Sequence, residues 1–272
     1  MKIILSRKGF DSKNGGQPSP ILPDGTLLSL PINSIEDNHL FSDLVFEKMS
    51  YYDLIKELNP NKKFKIEYRC HLDPDIRRSA LKRGRNWKPL FGQEDGALSH
   101  LEKNKVQIGD IFLFFGWFKQ TELINGKYSY VKGAPDLHVI FGYLQIGEIH
   151  KSADSNKDFL KDHCHYKRFS KNSNNCIYEP TKQLSFDKKL PGSGCLKFNE
   201  ELVLTKKGFS RSIWELPNYF KKSNITYHSK NSFKEDYFES AKIGQEFIIS
   251  ENDKIFEWAK EKLKHFDKRS NN

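Results

Sequence analysis

Cysteine is scarce in this chain: four in 272 residues, at Cys70, Cys164, Cys176 and Cys195, with no two spaced as C-x-x-C. That pattern excludes a zinc ribbon and a disulfide framework, and isolated thiols fit a reducing cytoplasm. No apolar run reaches the length of a membrane span, and the apolar stretch Met1–Leu5 turns polar at Ser6-Arg7-Lys8, too soon for a signal peptide. The expectation is a soluble cytoplasmic protein with no membrane contact. Neither G-x-G-x-x-G nor a GKS loop occurs, so the standard nucleotide fingerprints are missing. Acid is in deficit as well. Asp plus Glu number 35 against 45 Lys plus Arg, a net charge of +10. The excess favours an anionic partner, DNA or nucleotide, although part of it is solvated surface.

What is present suffices for a core: 37% of residues are hydrophobic and 13% aromatic. Ile3–Leu5 reads as a short buried strand followed by a polar glycine-bearing loop through Gly16. Prolines then keep residues 17–31 extended, with a tight turn at Asp24-Gly25. Ser50 and Asp53 have capping-box spacing, so a helix is expected over Tyr51–Leu58. Phe64, Ile66, Tyr68 and Cys70 alternate like a half-buried strand. A helix is expected over Ala97–Asn104, and a strand covered on both faces over Ile111–Phe118. Asn125-Gly126 is a hairpin signal with a return strand at Tyr128–Val131. Leu137–Ile149 reads as a strand pair curved at Gly142 and Gly147. Residues 150–176 form a long polar connection. Pro191–Gly194 reads as a sharp turn, Leu202–Leu204 as a short strand, and Ser250-Glu251-Asn252-Asp253 as the cap of a last helix carrying Ile255, Phe256, Ala259, Leu263 and Phe266. Residues 268–272 are expected to fray. These elements predict one α+β domain over 1–272, a mixed, partly barrel-like sheet with flanking helices.

Chemistry-bearing residues gather at His71-Leu72-Asp73-Pro74-Asp75. A strand end delivers an imidazole and two carboxylates, and Pro74 keeps them on a turn. His71, Asp73, Asp75, Gln93 and His100 are the candidate catalytic groups, as general bases, proton relays or ribose-hydroxyl ligands. Asp73-Pro74-Asp75 reads alternatively as a helix-capping turn. His71-x-Asp73 is also half of a two-histidine, one-carboxylate iron site, with His138 or His150 downstream, but the matching β-helix and cosubstrate arginine are not apparent. His163-Cys164-His165 has donor atoms on a polar loop without a second pair nearby, and no metal or other cofactor is assigned. For nucleotide or nucleic-acid binding the candidates are Arg7, Lys8 and Asp11 in the first loop, Arg77, Arg78 and Trp87 in the densest basic cluster, and Trp117, Arg211, Trp214 and His228.

Several pieces, in order along nearly the whole chain, carry a family resemblance. They include Ser6-Arg7-Lys8-Gly9-Phe10-Asp11-Ser12, Pro18–Gly25, Leu30-Pro31-Ile32, His71–Asp75, Phe91-Gly92-Gln93, Gly109–Phe118, Pro191–Gly194, Leu204-Thr205, Arg211–Pro217 and Tyr227-His228. With these the chain resembles nucleotide modification associated domain 3, a group linked to DNA base hypermodification in bacteria and phages. The resemblance implies a DNA- or nucleotide-modifying protein, with other base-modification enzymes as candidate partners, and it assigns no reaction. A non-catalytic reader of modified bases and a phage-defence effector acting on nucleic acid are the alternatives. Gly109-Asp110 and Ile140–Gly147 also look like the barrel core of PUA-type domains, a likeness of fold alone.

Overall fold

A computed structural model describes residues 1–154 and 156–271. Among them nine strands form one mixed sheet: β1 (Ile3–Arg7), β2 (Ser19–Ile21), β3 (Phe91–Glu94), β4 (Ile111–Ile124), β5 (Lys127–Tyr130), β6 (Leu137–His150), β7 (Asn175–Pro180), β8 (Ser193–Cys195) and β9 (Glu246–Ile249). The main path runs β9-β1-β4-β6-β7-β3, with β2 and β5 beside β4 and β8 beside β6. β1 and β2 run parallel to β4; the other pairs are antiparallel. Ile3 to Leu5 and Ile111 to Phe115 are buried throughout, which is why they read as continuous apolar runs rather than alternations. Asn125 and Gly126 both take positive φ, 51° and 78°, and join β4 to β5 as their sequence predicts.

The stretch read as a strand pair over Leu137–Ile149 is one fourteen-residue strand. Its glycines serve curvature instead of chain reversal. Register shifts fall between Ile140 and Gly142 against β4, and between Ile146 and Glu148 against β7. A Cβ on Gly147 would stand 2.7 Å from the Thr181 amide nitrogen, so only glycine lets β7 approach there. The bends curl the sheet into a half-barrel whose first and last strands meet through the side chains of Gln93 and Glu246.

Among the described residues three α-helices flank the sheet: α1 (Tyr51–Leu58), α2 (Asp95–Lys103) and α3 (Asp253–Leu263). Ser50 caps α1 by accepting from the Asp53 amide, and the buried Tyr51, Leu54, Ile55 and Leu58 form its inner face. Within the expected capping segment Ser250–Asp253, Asn252 is the residue that accepts from the amides of Lys254 and Ile255 and starts α3. No helix among the described residues is long and apolar enough to cross a membrane.

Five further segments depart from expectation. Phe64 to Tyr68 does not run as a strand: the Tyr68 amide turns back on the Lys65 carbonyl, Ile66 is exposed, and pairing begins at Arg69, which bridges Leu40, and continues with Cys70–His71 against Ile32–Asn33. The alternating aromatics instead build a second small core, where the Phe41 and Phe64 rings meet edge to face at 4.9 Å. Ser193–Cys195, within the expected Pro191 turn, is strand β8, and Glu200–Leu202 is a 3-10 turn in place of a strand. The polar segment after β6 carries two 3-10 turns and buries Leu160, His163 and His165. Lys268–Asn271 forms another 3-10 turn with Ser270 buried, and Asn272 lies outside the described residues.

Candidate functional site: two cavities with a shared wall

The loop after β1, the β3–α2 junction, the His71 turn and the 163–168 segment converge on a cavity of about 510 Å³. Arg7, Lys8, Asp11, His71, Asp73, Gln93, Glu94, His165 and Arg168 line it. A second cavity, about 630 Å³, uses Arg7, Lys8 and Asp11 again and adds Ser12, Trp117, Asp136, His138 and Arg211.

Asp73 is positioned by the neighbouring strand. Its Oδ1 accepts the Gly92 amide of β3 at 2.7 Å, and His163 Nε2 stands 3.4 Å from the same oxygen. Burial alone would raise its pKa, but the His163 contact and the fields of Lys8, His165 and His71 outweigh it, and the carboxylate is held well below the usual range. His71 places Nδ1 2.8 Å from Asp37 Oδ2, and its Nε2 faces His165 Nε2 at 3.3 Å. On the Asp37 carboxyl burial pushes upward, yet the His71 contact prevails and lowers the pKa to about 2. His165 Nδ1 lies 2.6 Å from Asn175 Oδ1, while Asn175 donates its amide to the His165 carbonyl at 3.0 Å. Burial drives the His165 pKa down to about 3. Burial pushes the Cys164 thiol the other way, upward, and its Sγ donates to the Leu72 carbonyl oxygen at 3.6 Å. Donor atoms of His71, Cys164 and His165 lie within 4.8 Å of one another, as do those of Asp73, His163 and Cys164.

The shared wall rests on a buried carboxylate. Glu246, 1% exposed, accepts at Oε1 from Ser6 Oγ and Gln93 Nε2, and Lys8 Nζ stands 3.1 Å away. Lys8 also lies 4.4 Å above the Phe91 ring. Arg7 donates to the carbonyls of Ala241 and Lys242 and stacks on Phe115 and Phe247. Asp11 accepts the amides of Lys13 and Asn14, which fixes the loop that separates the cavities.

Of the sequence-derived candidates, His71, Asp73, Gln93, Arg7, Lys8 and Asp11 meet at the first cavity, and Trp117 and Arg211 at the second. The others sit elsewhere. Asp75 pairs with Arg83 and accepts from the Trp87 indole, and Arg78 and Arg83 both stack on that ring, so the basic cluster is knit into the fold. Arg77 is buried and donates to the Leu27 carbonyl. His100 meets Thr226 Oγ1 at 3.0 Å outside both cavities. His228 is used at both nitrogens, by the Thr226 carbonyl and the Ala241 amide. Trp214 is a core residue, 1% exposed, that donates to His138 Nδ1 at 3.0 Å.

Asp37, Arg168, Asn175 and Glu246 carry no local sequence signal; each acquires its role from a distant partner. His163 and His165 do carry one, as two imidazoles flanking a thiol, and the missing second pair is supplied by His71 and Asp73.

Fold and cavities together define an α+β half-barrel protein built around two adjoining cavities. The chain belongs to the family of nucleotide modification associated domain 3, whose match covers residues 2–250. Neither a curated protein nor a solved structure matches it.

Proposed function

We propose that the protein modifies a nucleotide or a DNA base held across the two cavities. The observation that carries this reading is the wall of Arg7, Lys8 and Asp11 common to a cavity containing Asp73 and His71 and a cavity containing Trp117 beneath Arg211. Both volumes lie in the range of small-ligand sites. Trp117 offers a face for a base, Arg211 a guanidinium for phosphate, and Asp73, His71 and Gln93 supply acceptors and donors for a base edge or a proton transfer. In DNA the target base leaves the stack to reach such a pocket. The family's link to nucleotide modification supports the same reading.

Nucleoside mass spectrometry on host DNA from intact, gene-deleted and Asp73→Ala strains tests it. Loss of one modified nucleoside in both altered strains supports a modification enzyme that works through Asp73. A profile unchanged in all three rules out host-DNA modification. Purified protein that binds modified DNA without altering it then marks a reader, and toxicity on expression marks an effector.

A further inference from the structure

We propose that His71, Cys164 and His165 bind a divalent transition-metal ion in the wall of the first cavity, which His71 and His165 line, with Asp73 beside it. The argument starts from which ring nitrogens carry protons. Asn175 donates its amide to the His165 carbonyl, so its oxygen is the atom that meets His165 Nδ1, and Nδ1 must donate. His71 Nδ1 faces the Asp37 carboxylate at 2.8 Å, closer than its 3.4 Å contact with Arg168, so it donates as well. In neutral imidazoles the two Nε2 atoms are then both acceptors, and they point at each other across 3.3 Å. Two lone pairs do not hold that geometry. A cation between or beside them does.

The surroundings match a metal centre. The Cys164 sulfur completes a set of two nitrogens and one sulfur within 4.8 Å, a combination suited to zinc and its neighbours. Asp37 and Asn175 are the outer partners that ligating histidines use to fix their tautomers. His163 is excluded from the first set, since the His165 amide donates to its Nδ1 and its Nε2 is turned to Asp73. That Nε2 is buried without a hydrogen-bonding partner. His71, Asp73 and His165 line the cavity, leaving a position on that side for water or ligand. Of the two other close donor groups, Asp73, His163 and Cys164 share the same sulfur and join the same cluster, and Glu148, His150 and Glu179, away from the cavity, are already paired with Lys88 and Lys157. A proton shared by the two Nε2 atoms is the competing explanation.

Binding is measured without nucleotide, so the result stands apart from the proposed function. The full chain, stripped with a chelator, is titrated with Co²⁺ and then Zn²⁺. One Co²⁺ per chain is expected, with a thiolate-to-cobalt absorption band displaced by Zn²⁺. Cys164→Ser should lose that band, and Asn175→Ala should weaken binding about 10- to 100-fold. Glu179→Gln should bind as wild type. If His165→Ala does not fold, the half-buried His71→Gln serves in its place, and tenfold or greater weakening is expected. Wild-type protein that takes up neither ion overturns the proposal in favour of the shared proton, as does uptake unchanged in Cys164→Ser and His71→Gln.

Discussion

Gln93 donates its side-chain amide to Oε1 of Glu246 and thereby ties the last strand of the sheet's path to the first. The same carboxylate faces Lys8, whose side chain is 8% exposed. Glu246→Ala leaves that ammonium buried and unpaired, a loss of about 3–5 kcal/mol. Gln93→Ala removes one bond to a charged acceptor, at about 1.5–3 kcal/mol. Urea unfolding should rank them in that order. Replacing both charges, as Lys8→Met with Glu246→Leu, should recover much of the first loss; a double variant as unstable as Glu246→Ala contradicts this account of the wall.

The guanidinium of Arg211 lies 4.1 Å from the centre of the Trp117 ring and donates to Ser12 Oγ. An anionic ligand in the second cavity competes for that guanidinium. Nucleotide should therefore change Trp117 emission, and added salt should weaken the response. Arg211→Ala should reduce affinity about tenfold or more, the value of one charge-assisted bond. Titration of wild type, Arg211→Ala and a Trp117→Phe control checks it. Equal affinity with and without Arg211 removes the second cavity from the ligand path.

Much of the frame is legible along the chain because its signals are local. Continuous burial of Ile111 to Phe115 and the positive φ of Asn125 and Gly126 leave direct marks in residue type. The turn at His71 to Asp75 is equally local. The rest of the site is built from pairs far apart in sequence, Asp37 and His71 separated by 34 positions and Gln93 and Glu246 by 153. A buried polar residue looks the same in sequence as a solvated one until its partner is placed. Arg77 and Trp214 show the converse. Residue types typical of nucleic-acid surfaces serve here as a carbonyl donor and a core ring.

Gly92 lies where β3 meets the His165 ring: a Cβ there would stand 2.2 Å from His165 Cδ2. The ring cannot swing aside while Asn175 holds its Nδ1. Gly92→Ala should cost about 1–3 kcal/mol, as overpacking does. Combined with His165→Ala, the added methyl enters vacated space, and the double variant should be more stable than the sum of the single losses predicts, by about 1 kcal/mol or more. Simple additivity in denaturant melts means that the two residues do not press on each other.

His138 supplies the pH dependence. It is buried, it accepts the Trp214 indole N–H at Nδ1, and a proton on that nitrogen would break the bond. Burial first, then the fields of Arg7 and Arg211, hold its pKa well below the usual value. The unfolded chain takes up this proton near pH about 6.5, whereas the fold refuses it. Stability from this group is therefore intact above that pH and falls below it, by about 1.4 kcal/mol per pH unit, until the depressed folded pKa is reached. His138→Gln retains an acceptor for Trp214 and has no proton to exclude. Its stability should decline less steeply than wild type between pH 6.5 and pH 4.5 (approximate bounds set by the histidine and carboxylate ranges). The other histidines and the carboxylates contribute equally to both proteins and cancel in the difference. Parallel stability profiles for wild type and His138→Gln mean that the folded imidazole takes up its proton as readily as the unfolded one, and the Trp214 contact then has no hold on its charge.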